Sequence, residues 1–282
     1  ATIPVRRRGR LIGVSQFIGG AAGIGVGVLV GQVLERWPFP QNYAWLFTFA
    51  SAGMATSTIA LLLLREPPPR EAPTQTRQQA GSWLRILGGD RNFRRLMACR
   101  VLVGMTALAT PFYVSHAADT MGLPERVIGS FVIASTAGNL ASSVVLGFVS
   151  ERVGTRIIIQ ITSAVSVLGL LFVLAVDLLR VDWLTRAYPL AFVALGVTMS
   201  SWMLGFTNYM LEIAPPEIRP AYVGLGNTLM GVLAVLPTIG GWLLQVGSYP
   251  LLFGLAILLT GIGTLLTFTL QRPAGGGSFV GG

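Results

Sequence analysis

The chain has 282 residues, 52% of them hydrophobic and only 11% charged, and its mean hydropathy is +0.68. Soluble domains carry about 25% charge, so a water-soluble globule is excluded and a lipid bilayer is the expected solvent. The formal net charge of +9 rests on arginine alone, because the chain has no lysine. Those arginines are spread over loops without interleaved aromatics, which excludes a nucleic-acid groove.

A bilayer core about 30 Å thick needs about 20 apolar residues per helix. Eight runs reach that length: 11–34, 44–64, 96–117, 127–149, 157–177, 187–211, 222–245 and 251–270. In lipid each backbone amide must bond internally, and these runs are continuous rather than alternating. The expected fold class is therefore an all-α polytopic membrane protein with eight transmembrane helices.

The first run holds Gln16 and then Gly19, Gly23, Gly27 and Gly31 at a spacing of four. That spacing makes one smooth helix face on which another helix can pack closely, as a sliding surface or as static packing. Residues 65–92, with Pro67, Pro68, Pro69 and Pro73 among mixed charges, read as a linker. The third run contains Cys99, Arg100, Pro111 and Tyr113, and ends in His116 and Asp119. The single cysteine packs rather than bonds. Arg100 either holds an anion as a planar fork or reaches back to the surface beside Arg94 and Arg95. His116 and Asp119 form either a proton-sensitive pair or an idle interfacial one.

Further along, Asn139 lies inside the fourth run. In the sixth, Trp202, Gly205, Tyr209 and Glu212 fall on one helical stripe beside Asn208. The seventh holds Asn227, Pro237, Gly240 and Gly241. Polar side chains are costly in lipid and therefore mark a bundle interior or a solute path. Gln16, Arg100, Tyr113, Asn139, Trp202, Asn208, Tyr209 and Asn227 are the cavity candidates. Pro111 and Pro237 each free a carbonyl and should bend their helices.

The opening of the chain recurs 211 residues later. Pro4, Arg8, Gly13, Gln16 and Gly20 correspond to Pro215, Arg219, Gly224, Asn227 and Gly231. Parallel repeats of this kind occur in transporters built from two similar halves. Fifteen arginines fall on the side of the termini and the linker, against four on the opposite side, with Arg100 within a run. Basic loops stay in the cytoplasm, so both termini should face it, in a plasma or bacterial inner membrane. With one histidine and one cysteine the chain offers no catalytic triad, phosphate loop or metal cluster, so neither an enzyme nor a cofactor is expected.

The loop after the fourth run reads Gly147, Glu151, Arg152, Gly154, Thr155, Arg156. It resembles the major facilitator signature Gly-x-x-x-Asp-Arg-x-Gly-Arg-Arg, with Glu151 for Asp and Thr155 for a basic residue. Pro237, Gly240 and Gly241 are similar to that family's Gly-Pro-x-x-Gly-Gly, with Leu236 in the first position. The resemblance implies twelve spans in two halves, of which these eight look like spans five to twelve. The first four would then lie in further sequence or another chain, or the protein is a reduced relative.

On that plan residues 1–64 are the last two helices of the N-terminal half and 65–92 the cytoplasmic linker. Residues 93–272 form the six-helix C-terminal half, and 273–282 a flexible tail. Gly147, Glu151, Arg152, Gly154 and Arg156 would act as a conformational latch, or would only set topology. The function implied is transport of a small organic solute by alternating access. The alternative is a transporter-derived structural subunit within a larger membrane complex.

Overall fold

Every apolar run becomes a membrane-length helix or a helix with one break. The computed structural model describes residues 5–63, 88–215 and 218–271, without the side chains of residues 5–17 and of Glu151. The linker therefore lies outside the described residues except at 88–92, and the tail 273–282 lies wholly outside them. Among the described residues there is no strand.

Helices α1 (Val5–Arg36) and α2 (Gln41–Leu62) are unbroken. The third span is α3 (Arg91–Gly104), then 3-10 turns at Met105–Leu108 and Thr110–Phe112, then α4 (Tyr113–Asp119). Next come α5 (Val127–Val153) and α6 (Thr155–Leu179), then a short α7 (Asp182–Arg186) in a loop. The sixth span is α8 (Pro189–Trp202), a π turn at Met203–Thr207, and α9 (Asn208–Ile213). The seventh is α10 (Arg219–Val232), a 3-10 turn at Leu233–Val235 and α11 (Leu236–Val246), followed by α12 (Tyr249–Thr267).

The breaks follow from the chemistry of the chain. Pro111 falls inside the second 3-10 turn, and Pro237 opens α11 just after the other. Each lacks an amide for the preceding turn, so the ladder tightens or restarts there. The two broken stretches also pack together. A Cβ on Gly240 would strike the Leu108 carbonyl and reach Phe112 at 2.8 Å, and one on Gly241 would touch the Phe112 ring at 3.6 Å. No proline explains the π turn.

Lipid offers no hydrophobic drive between helices, so close packing and hydrogen bonds must hold them. α5 and α8 meet backbone to backbone, Gly138 against Val193 and Gly196 against Ser135. α1 lies on α5 through Gly23, Gly27 and Gly31, which face Thr136, Ile133 and Gly129. Gly19 has nothing near it. Two buried clusters fill the bundle of the last six spans. One surrounds Tyr113, Phe131, Tyr188, Phe192 and Phe253. The other surrounds Phe93, Leu96, Phe206, Tyr209 and Tyr222. α2 buries only Asn42 and presents its apolar residues outward, as a lipid-facing helix should.

Candidate functional site

Three helices line an open cleft of about 300 Å³. Gly19, Gly20 and Gly23 of α1 form one wall; Ser135, Thr136 and Asn139 of α5 and Gly196 and Met199 of α8 form the other. Small residues let α1 sit directly on α5 beside the cleft, because a Cβ at Gly20 or Gly23 would meet Leu140 or Thr136 within 3 Å. The polar groups all come from α5. A volume near the lower end of ligand pockets suits a small solute.

Below the cleft α8 ends at Trp202, which is half-buried. The Arg100 guanidinium lies 5.8 Å from its ring centroid, and Phe206 packs at 4.6 Å. Arg100 is only 5% exposed, so it does not reach the surface beside Arg94 and Arg95. Its Nε and Nη1 are buried without a hydrogen-bond partner.

The other cavity candidates separate. Asn139 lines the cleft, and Asn227 is exposed on α10. Asn208 is half-buried. Gln16 lies in α1, with its side chain outside the described residues. Tyr113 is buried between Phe192 and Phe253 and borders a void of about 20 Å³, room for roughly one water.

Tyr209 is a correction. It is fully buried, and its hydroxyl donates to the Gln271 carbonyl at 2.7 Å and pairs with Asn92. The expected stripe fails because the π turn inserts a wider turn between Trp202 and Tyr209, which shifts the helical phase. Gly205 then packs on Ile158 and Ile159.

His116 does not pair with Asp119, whose Oδ2 accepts from the Tyr249 hydroxyl at 3.1 Å. Its partner is Asp177 of α6, 3.5 Å from Nε2, and both side chains are buried. The Tyr188 hydroxyl donates to the Tyr113 carbonyl at 2.9 Å, which leaves it to accept from His116 Nδ1 at 3.0 Å. Asp177 and Tyr188 were not visible as site residues, because each sits at a span end among ordinary loop charges.

At the signature loop Gly154 takes φ +85°, which ends α5 and starts α6 at once. Gly147 has open space around it and supports no close approach. Arg152 is exposed, and the Glu151 side chain lies outside the described residues. Arg156 Nη2 donates to the Phe268 carbonyl at 2.8 Å, beside the negative end of α12. Thr155, where the signature departs, is buried and donates to Glu212 Oε2 at 2.7 Å. On the far side Asn42 donates to Glu125 at 3.2 Å and Arg126 lies 3.7 Å from Glu35. Both contacts tie α1 and α2 to the loop before α5.

Among the described residues eight helices are long and apolar enough to cross a membrane, and with the interhelical cleft they define a multi-pass integral membrane protein. The chain matches the family profile described as Major Facilitator Superfamily over residues 1–236 and 96–280. It belongs to that family, and its general character is that of a major facilitator type transporter. No curated protein matches it.

Proposed function

We propose that the chain moves a small organic solute across the membrane by alternating access, without catalysing a reaction. The observation that carries this reading is the cleft itself. Its walls come from α1 on one side and from α5 and α8 on the other. On the expected division α1 belongs to one half and α5 and α8 to the other, so a solute held there would feel their relative motion. Asn139, Thr136 and Ser135 supply its hydrogen bonds. The glycine seam gives a smooth surface for rocking, and the broken third and seventh spans give bends. The bilayer is a plasma or bacterial inner membrane, with both termini cytoplasmic, as the arginine distribution favours.

The test is flux in proteoliposomes against a broad set of small solutes, repeated with Asn139→Leu and Thr136→Leu. Transport that stops when the cleft is filled supports the reading. Flux indifferent to both substitutions moves the path elsewhere. No flux of any solute would instead favour a subunit that transports nothing.

A further inference from the structure

Arg100 lies nine residues into α3, about 14 Å along the helix from its start. Among the described residues it is the only arginine in the buried class, and it joins none of the ion pairs. Its surroundings are shaped to hold it. A Cβ on Gly226 of α10 would come within 3.2 Å of its Nη1, and one on Gly104 within 3.6 Å of the Trp202 ring. Glycine at 226 leaves space for the guanidinium, and Gly104 leaves room chiefly for the Leu233 side chain beside the indole.

An arginine cannot shed its proton, and beyond the Trp202 ring face its Nε and Nη1 have no acceptor, so an anion or dipole brought to them would stabilise it. The route is short. Met199, which lines the cleft, precedes Trp202 by three residues, so the two side chains are neighbours one turn apart on α8. Met199 and Trp202 are therefore about 4.5 Å apart along the axis, within reach of one small organic molecule.

We propose, resting on the transport reading above, that the solute is a small organic carboxylate. Its carboxylate is held by the Arg100 fork, its apolar body lies against Trp202 and Met199, and its polar substituents reach Asn139 and Thr136. Charge lies at one end of the site, hydrogen-bonding groups lie at the other and apolar surface fills the middle, which selects an amphipathic anion over a sugar or a cation.

The full chain, purified and reconstituted, is titrated with benzoate, with benzamide of the same shape and no charge, and with chloride. Ligand binding is read from tryptophan fluorescence. Benzoate should quench, benzamide should bind at least about tenfold more weakly, and chloride should not reproduce the signal. Trp202→Phe should remove the change, and Arg100→Gln should abolish discrimination between acid and amide. If Arg100→Gln fails to fold, the acid–amide comparison on the unmodified chain decides alone.

Equal responses to benzoate and benzamide, no response to either, or a full response to chloride would overturn the assignment. Flux of a neutral solute untouched by Arg100→Gln would end the anion assignment and leave transport standing. Selective benzoate binding with no flux of any solute would do the reverse.

Discussion

Gly27 of α1 and Gly129 of α5 face each other so closely that a Cβ on Gly129 would sit 2.6 Å from the Gly27 carbonyl oxygen. It would also lie 2.7 Å from the Gly31 nitrogen. These are backbone atoms and cannot turn aside, so Gly129→Ala must push the two helices apart. Overpacking of this kind costs about 1–3 kcal/mol. The expected result is a clearly lower melting temperature, whereas Gly25→Ala, with open space around it, stays within about 0.5 kcal/mol of the original. Matching melts for Gly129→Ala and the unmodified protein would show that the seam is not close-packed.

A second prediction concerns the loop between α5 and α6. Thr155→Val removes the donor to Glu212, and Arg156→Gln removes the clamp on the Phe268 carbonyl. Each should cost about 1–2 kcal/mol, since both bonds involve a charged group near water. Arg152→Gln, on an exposed side chain, should change stability by less than about 0.5 kcal/mol. Thermal melts of the three variants check this ranking, and a larger loss at Arg152 would reverse it.

Tyr188→Phe should be among the more damaging conservative changes in the protein. It takes a fully buried hydroxyl away from the Tyr113 carbonyl and from His116 Nδ1. Leaving buried groups unpaired costs about 1–3 kcal/mol. Asp177→Asn keeps a polar group of the same shape, with an amide donor as well as an acceptor, facing His116 Nε2 and should be milder than Asp177→Ala. Equal melts for those two Asp177 variants would mean that His116 draws nothing from the carboxyl side chain.

The spans were legible because a long apolar run in lipid has few alternatives to a helix. The glycine seam on α1 was legible from its spacing of four, while Gly138 and Gly196, single glycines on separate helices, carry no such pattern. Partners across helices were hidden for a similar reason. Spacing along one helix suggested Asp119 for His116, but α6 brings Asp177 to it instead. The π turn at Met203–Thr207 has no residue signature, and it turned Tyr209 away from the side on which a regular helix would place it.

Sidedness is open to labelling. The one native thiol, Cys99, is fully buried, so it should stay silent to polar reagents. Asp182→Cys and Arg152→Cys both occupy exposed positions. In sealed cells a membrane-impermeant maleimide should label the first from outside and the second only after lysis. The opposite pattern would place the termini outside.

The most direct measurement is the two-sided accessibility of Asn139→Cys, a position on the cleft wall. A charged methanethiosulfonate reagent is applied to oriented vesicles, first from one face and then from the other. Alternating access predicts modification from both faces, with a rate that changes when solute is added. Modification from a single face, at a rate that solute never alters, would contradict it.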